Sequence, residues 1–283
     1  MSKLRDAVLG FVVGDAFGVP YEFQERGEFR VSENMIGFGS HHQPVGTWSD
    51  DSSMMLATLF SIVYKQDVVL NFLDWYKHGE FTPYGKVFDM GCRTAMALKY
   101  YEKNHEFMPD TEETALGNGS LMRILPFAFV NWGENSIDTA SSITHPARIC
   151  REACQIYIRI IKALLYGCNI KDALFEVKEK FTDEFDRLNY IETLSMDDIE
   201  STGYVVDTLE AAIWSVIKTS SYKDAIMLAT YLGDDTDTIA ALTGAMAGII
   251  YGTESIPEQW LFNIARLDDI EKLIEKSQDE LIF

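Results

Sequence analysis

The sequence predicts an all-α fold, a single domain of packed helices. Three observations point there. Long apolar runs recur with a helical period, and only 7 prolines interrupt 283 residues. Alternation of apolar and polar residues never persists beyond a few positions, so no strand is expected. No stretch is proline-rich or low-complexity enough to be a domain linker, in a chain near the upper size for one hydrophobic core.

Taken in order, apolar periodicity predicts helices over 3–16, 51–65, 68–78, 86–103, 121–131, 146–167, 170–181, 205–219, 222–232, 235–251 and 264–276. The first carries Gly10 and Gly14, a spacing that suits close helix packing. Residues 51–63 and 239–250 are apolar nearly all round, so their helices belong at the centre. In the latter, Ala240, Gly244 and Gly248 recur every four residues. That makes one flat face on which a neighbour can approach, offsetting the low helix propensity of glycine. The helix from 121 follows an Asn-Gly turn with Ser120 available as N-cap, and the one from 146 opens with Pro146 in its first turn. Gly27 to Trp48, Asn104 to Gly119 and Thr182 to Gly203 are glycine- and polar-rich and read as loops.

Composition narrows the function. The net charge of −20 argues against non-specific nucleic-acid or anionic-membrane binding, both of which need a basic surface. A small anionic ligand stays open, because bound cations reverse a local field. Cys92, Cys150, Cys154 and Cys168 are too irregularly spaced for a disulfide framework. Cys150 and Cys154 with His145 lack the further ligand pair of a closed zinc site, so buried thiols in a reducing cytoplasm are expected. Ala7 to Val13 is too short, and too soon ended by Asp15, for a secretory signal. The apolar run from Ile239 to Ile250 is likewise too short to span a bilayer. A monomer is expected.

Chemistry concentrates in two acidic clusters, Ser49-Asp50-Asp51-Ser52 and Asp234-Asp235-Thr236-Asp237-Thr238, each opening one of the two most apolar helices. Like charges beside a core repel and lose solvation, so something positive belongs between them. Carboxylates with hydroxyls are the donors of hard divalent cations. Asp235 and Asp237 can face one point while Thr236 turns away; adjacent Asp50 and Asp51 reach two ions more naturally than one. Four carboxylates would be balanced by two such ions. The plainer reading makes these aspartates helix N-caps, favoured by free N–H groups and the helix dipole. Glu22, just past Pro20, could approach the same pocket as a mobile carboxylate. Gly117-Asn118-Gly119-Ser120-Leu121-Met122-Arg123 runs into a helix start suited to a phosphate, with Arg123 adding charge. His145 is as readily a cap as a ligand contact.

Together these segments resemble the ADP-ribosylglycohydrolase family. The matching stretches are Gly14-Asp15-Ala16 through Glu22, Trp48 to Ser52, Gly117 to Arg123, Thr144-His145-Pro146, Gly203 to Ala211, and Gly233 to Thr238, so the resemblance covers nearly the whole chain. It implies an orthogonal helical bundle with two Mg²⁺ or Mn²⁺ ions held by Ser49, Asp50, Asp51, Asp235, Asp237 and Thr238. It places Glu22 over the site. Gly117, Asn118, Gly119, Ser120, Met122, Arg123, His145 and Tyr204 become the substrate contacts. Ser49 and Ser52 stand where threonine is usual, which keeps the oxygen ligand; Asp234 replaces a common glycine. Ser52 and Asp234 are read as bystanders.

The activity so implied is hydrolysis at C1″ of ADP-ribose, releasing it from a protein side chain or a small conjugate. Asp51 or Asp237 would take a proton from water, and Glu22 would gate the cleft or act on the leaving group. Two other classes compete. A helical nucleotide phosphohydrolase needs a His-Asp dipeptide or paired acidic helix motifs. The chain has no His-Asp, and Glu176-x-x-Glu179 has no Glu-x-x-Asp after it. A non-catalytic or immunity-type binder would be expected to lose metal ligands, and none is lost here.

Overall fold

The structure is a computed structural model and describes residues 2–109, 115–175, 177, 182–278 and 281. Its spine is a pair of helices, α1 (Lys3–Gly18) and α10 (Thr236–Tyr251), both buried along almost their whole length. Their faces meet backbone to backbone. A Cβ on Gly10 would lie 2.2 Å from the carbonyl oxygen of Gly244, and one on Gly14 would lie 2.1 Å from that of Ala240. The small-residue face read from the sequence is therefore real, and α1 is the neighbour that uses it. Tyr222 adds a buried hydroxyl that donates to the Gly10 carbonyl at 2.7 Å.

Around this spine lie α2 (Asp50–Tyr64), α3 (Val68–His78), α4 (Cys92–Asn104), α5 (Glu134–Ser142), α6 (Arg148–Leu165), α7 (Ile170–Phe175), α8 (Val205–Ile217), α9 (Tyr222–Tyr231), α11 (Glu258–Asn263) and α12 (Leu267–Gln278). Helices α8 and α9 pack on α10, α6 bridges α5, α7 and α8, and α12 lies against α1 and α2. One large apolar core runs through the bundle. A smaller one, built on Met54, Val69, Phe72, Trp75 and Leu98, joins α2 to α3 and α4. Ser49 caps α2 by accepting from the Asp51 N–H, and Lys65 ends it in a left-handed conformation at φ 54°. No strand forms among the described residues, which hold only two isolated bridges, Phe38 to Gln43 and Gly117 to Tyr204. No helix among them is long and apolar enough to cross a membrane.

Several boundaries differ from the sequence reading, for local reasons. The helix expected over 86–103 begins only at Cys92, because Gly91 breaks the pattern and Asp89 turns left-handed at φ 49°. The helix expected over 121–131 is a pair of 3₁₀ turns, Leu121–Arg123 and Leu125–Phe129, with Pro126 inside the second. Of the helix expected over 170–181, α7 ends at Phe175; residues 176 and 178–181 lie outside the described set. The last helix starts at Leu267 rather than 264, since Arg266 has φ 50°. The short α5 and α11 were not expected. Within the predicted loops, Gly39–His41, Asp183–Asn189, Ile191–Thr193 and Met196–Asp198 form 3₁₀ turns, and residues 110–114 are outside the description.

Gly10→Ala should force the spine helices apart and destabilise the protein by about 1–3 kcal/mol, the usual range for overpacking. Gly133→Ala, where a Cβ meets nothing within 4 Å, should stay within about 0.5 kcal/mol of the parent. Urea unfolding of both variants checks the contrast.

Candidate active site

The site begins with Asp15 on α1. Its carboxylate has no solvent exposure and accepts from the Ser49 N–H at 2.9 Å, the Ser52 N–H at 2.9 Å and the Ser52 hydroxyl at 2.5 Å. One buried aspartate thus fixes the N-terminus of α2. Ser52 is consumed by this anchor. Burial lifts the Asp15 carboxyl to about 6, and the Ser52 and Ser49 hydrogen bonds oppose a larger rise.

The two acidic clusters meet at this point. Ser49 donates to Asp51 Oδ2 at 2.9 Å, and Thr238 reaches the same oxygen from α10 at 3.3 Å. Oxygens of Asp15, Asp51 and Asp237 lie within 4.8 Å of one another, as do those of Glu22, Asp235 and Asp237. Asp235 is held by Asn118 Nδ2 at 2.5 Å, and Asn118 also donates to Thr208 at 2.9 Å. Thr236 turns away and donates to the Gly18 carbonyl at 2.9 Å. Asp234 lines a separate groove with Glu200 and Arg26.

Burial drives Asp50, Asp51 and Asp237 well above the usual carboxylate range, and repulsion from neighbouring carboxylates, Asp89 among them, adds to it. Asp235 rises for the same first reason, moderated by Thr238 and Asn118. Glu22 is pushed up to about 11 by burial and then by Asp89 and Asp235. Asp51 Oδ1 and Asp237 Oδ2 are buried with no hydrogen-bond partner. Orphaned anionic oxygens in such company fit a hard cation, the ligand that removes both defects together.

A cavity of about 250 Å³ opens over these groups. Glu22, Asp50, Asp51, Asp235 and Thr238 line it, and Gly117, Asn118, Gly119, Met122 and His145 line it too. The Gly117 loop is stitched to the start of α8 by Val205 N–H to Leu116 O at 2.9 Å and Asn118 N–H to Gly203 O at 3.1 Å. Gly119 is needed for approach: a Cβ there would lie 2.7 Å from His145 Cε1.

The family model for ADP-ribosylglycohydrolase matches residues 1–282. The chain belongs to that family. It is 34% identical to an ADP-ribosylarginine hydrolase of Serratia proteamaculans (strain 568), over 98% of this chain and 79% of the relative. It is 29% identical to the ADP-ribosyl-(dinitrogen reductase) glycohydrolase of Rhodospirillum rubrum, over 98% and 94%. A solved structure, an ADP-ribosylglycohydrolase-related protein complex, matches with a TM-score of 0.83 at 28% identity, covering 98% of this chain and 97% of that one. The all-α bundle is thus the fold of this family.

Against that background, three of the expected substrate contacts need correction. Arg123 does not line the cavity. Its guanidinium is buried, donating to Gly119 O at 2.7 Å, Thr144 Oγ1 at 2.9 Å and Ala140 O at 3.0 Å, over the Phe72 ring at 4.8 Å. It braces the Gly117 loop and the turn before α6. Ser120 is buried and bonded to Ser141 at 2.8 Å. Tyr204 contributes its backbone to the bridge with Gly117 and is not among the lining residues.

Other groups were missed. Asp89 and the stretch Gly91 to Thr94 line the cavity, and His41 pairs with Glu22 while lying 4.0 Å from Asp89. Reading 86–103 as unbroken helix hid the first group; Gly91 inside that pattern was the available signal. Nothing local in the loop marked His41.

Arg123→Met should leave the Gly119 and Ala140 carbonyls unpaired and destabilise the protein by roughly 2 kcal/mol or more, read as a lower urea midpoint. His145 is driven down to about 3 by burial and by the nearby Arg123 and Arg93 charges. Its neutral ring therefore contributes stability above about pH 6.5, and that contribution is lost as the pH falls below it. In an NMR titration between about pH 5 and 8 its ring signals should stay fixed, whereas a midpoint near pH 6 would contradict the geometry.

Proposed function

We propose that this protein is a divalent-cation-dependent hydrolase that cleaves the glycosidic bond at C1″ of ADP-ribose, with a modified arginine as the acceptor it releases. The observation that carries the reading is the pair of orphaned carboxylate oxygens, on Asp51 and Asp237, buried where α2 and α10 begin. Such oxygens are unfavourable in a folded protein unless function requires them. The arginine assignment rests on the 34%-identical relative named for it, and a net charge of −20 suits a guanidinium acceptor. Four free cysteines suit a reducing cytoplasm, and one continuous main core suits a single domain acting as a monomer.

Ser49, Asp50, Asp51, Asp235, Asp237 and Thr238 would hold two ions, Mg²⁺ or Mn²⁺ by the hardness of their oxygen donors. When bound, the ions supply Lewis acidity toward substrate oxygens and balance the clustered charge. The chain's own residues do the rest. Asp51 or Asp237 accepts one proton of the attacking water as its oxygen bonds to C1″. The surrounding carboxylates stabilise the positive charge that develops on the ribose as the C1″–N bond breaks. Glu22, at the cavity wall, gives the departing nitrogen the proton it takes up. The Gly117 loop and His145 orient the ADP-ribose.

Asp50→Ala and Asp235→Ala should each abolish ADP-ribose release from ADP-ribosylarginine, and a chelator should do the same to the parent until Mg²⁺ or Mn²⁺ is restored. Near-normal turnover by either variant at trace metal would sink the scheme. Serine- and base-linked substrates in the same assay test the acceptor. Either cation should also raise the melting temperature of the chelated parent, because it binds only the folded arrangement.

A further inference from the structure

We propose that His41 is a positioning residue for the leaving-group step, holding Glu22 so that its proton reaches the departing nitrogen; this rests on the ADP-ribosyl hydrolase reading above. His41 Nε2 is hydrogen-bonded to Glu22 Oε2 and lies 4.0 Å from Asp89 Oδ2. Glu22 and Asp89 line the cavity, whereas His41 is not among the lining residues. The imidazole therefore acts on the reaction through Glu22.

The turn that carries His41 is built against the segment that carries Glu22. Gly39–His41 packs on the 3₁₀ turn Val19–Tyr21, so closely that a Cβ on Gly39 would lie 2.0 Å from the Pro20 carbonyl oxygen. Ser40 Oγ donates to the Glu22 carbonyl oxygen at 2.5 Å, and Gln43 Nε2 donates to that of His41 at 3.1 Å. The Phe38 N–H closes the turn on Gln43 O at 2.5 Å. The His41 ring packs against Phe23 and Phe88, with centroid distances of 5.6 and 5.4 Å. Backbone and side chain of Glu22 are thus gripped by two successive residues, Ser40 and His41. A glutamate so held loses the freedom to swing away from the reacting bond.

In the tautomer that donates from Nε2, Glu22 Oε2 is the acceptor and the transferable proton of Glu22 belongs on Oε1. As the C1″–N bond breaks, its electron pair stays on the nitrogen, which takes that proton. The water oxygen bonds to C1″ and gives its own proton to Asp51 or Asp237. Glu22 is left as a carboxylate, and the hydrogen bond from His41 strengthens as that charge develops. An interaction that grows toward the transition state lowers the barrier instead of tightening substrate binding.

The test compares turnover of ADP-ribosylarginine, whose guanidine must be protonated to leave, with α-nitrophenyl ADP-ribose, whose phenolate leaves without a proton. His41→Phe keeps the aromatic packing and removes the donor. It should lower the ratio of kcat on the arginine substrate to kcat on the nitrophenyl substrate by about 10- to 100-fold, part of the usual general-acid factor, with KM nearly unchanged. His41→Gln, whose amide nitrogen can stand where Nε2 does, should recover most of that ratio. His41→Asn, with a shorter side chain, should not. Should the Phe variant fail to fold, Gln against Asn on the arginine substrate alone carries the test. A loss shared equally by both substrates would show a merely structural role and overturn the proposal. An unchanged ratio, or Gln and Asn variants of equal rate, would overturn it too. A parent protein that releases ADP-ribose from neither substrate would overturn the functional reading, and this proposal with it.

Discussion

Helix α1 touches α10 through glycine, with no side chains between, and the rest of the molecule is arranged around that contact. A Cβ on Gly18 would meet the Cα of Asp237 at 2.5 Å, so the same stripe that begins at Gly10 ends against the start of α10. Between those points α1 carries Asp15, which holds the start of α2 through Ser49 and Ser52. One helix therefore fixes the N-termini of two others at close range. The carboxylates of both arrive at the same place because the backbones leave them nowhere else to go.

That placement has an electrostatic consequence. Two helix N-termini stabilise negative charge, Ser49 and Thr238 donate to Asp51, and Asn118 donates to Asp235, yet burial and repulsion from neighbouring carboxylates still hold Asp50, Asp51 and Asp237 well above the usual range. The folded chain thus gathers unfavourable charge at its centre. The packing of the spine, which is apolar and insensitive to charge, holds that charge in place.

Much of this was legible in the residues. Apolar periodicity located the central helices, and the Ala240-Gly244-Gly248 spacing announced the close contact, because both patterns follow directly from helical geometry. The two acidic clusters were visible because charge beside an apolar run needs a physical reason. The cleft's other walls were not visible in the same way. Arg123 looked like the phosphate residue since it followed a helix start, yet its donors turn inward to carbonyls. Arg93 lies in the first turn of α4, which starts at Cys92 rather than 86, and it lines the cavity. His41 reaches Glu22 through a turn flanked by left-handed Phe38 and His42, a path that no local pattern encodes. Long-range loop placement depends on contacts that sequence spacing does not record.

The left-handed residues around the cleft divide the site into two mechanical parts. Phe23, Phe38, His42 and Asp89 all have positive φ, and all sit beside Glu22, His41 or the cavity wall. The floor beneath them is welded by backbone contact and leaves no slack for sliding helices. Adaptation to a new acceptor can proceed by remodelling these rim turns, while the carboxylate floor stays fixed. A site so built can vary at its rim without disturbing its carboxylate floor.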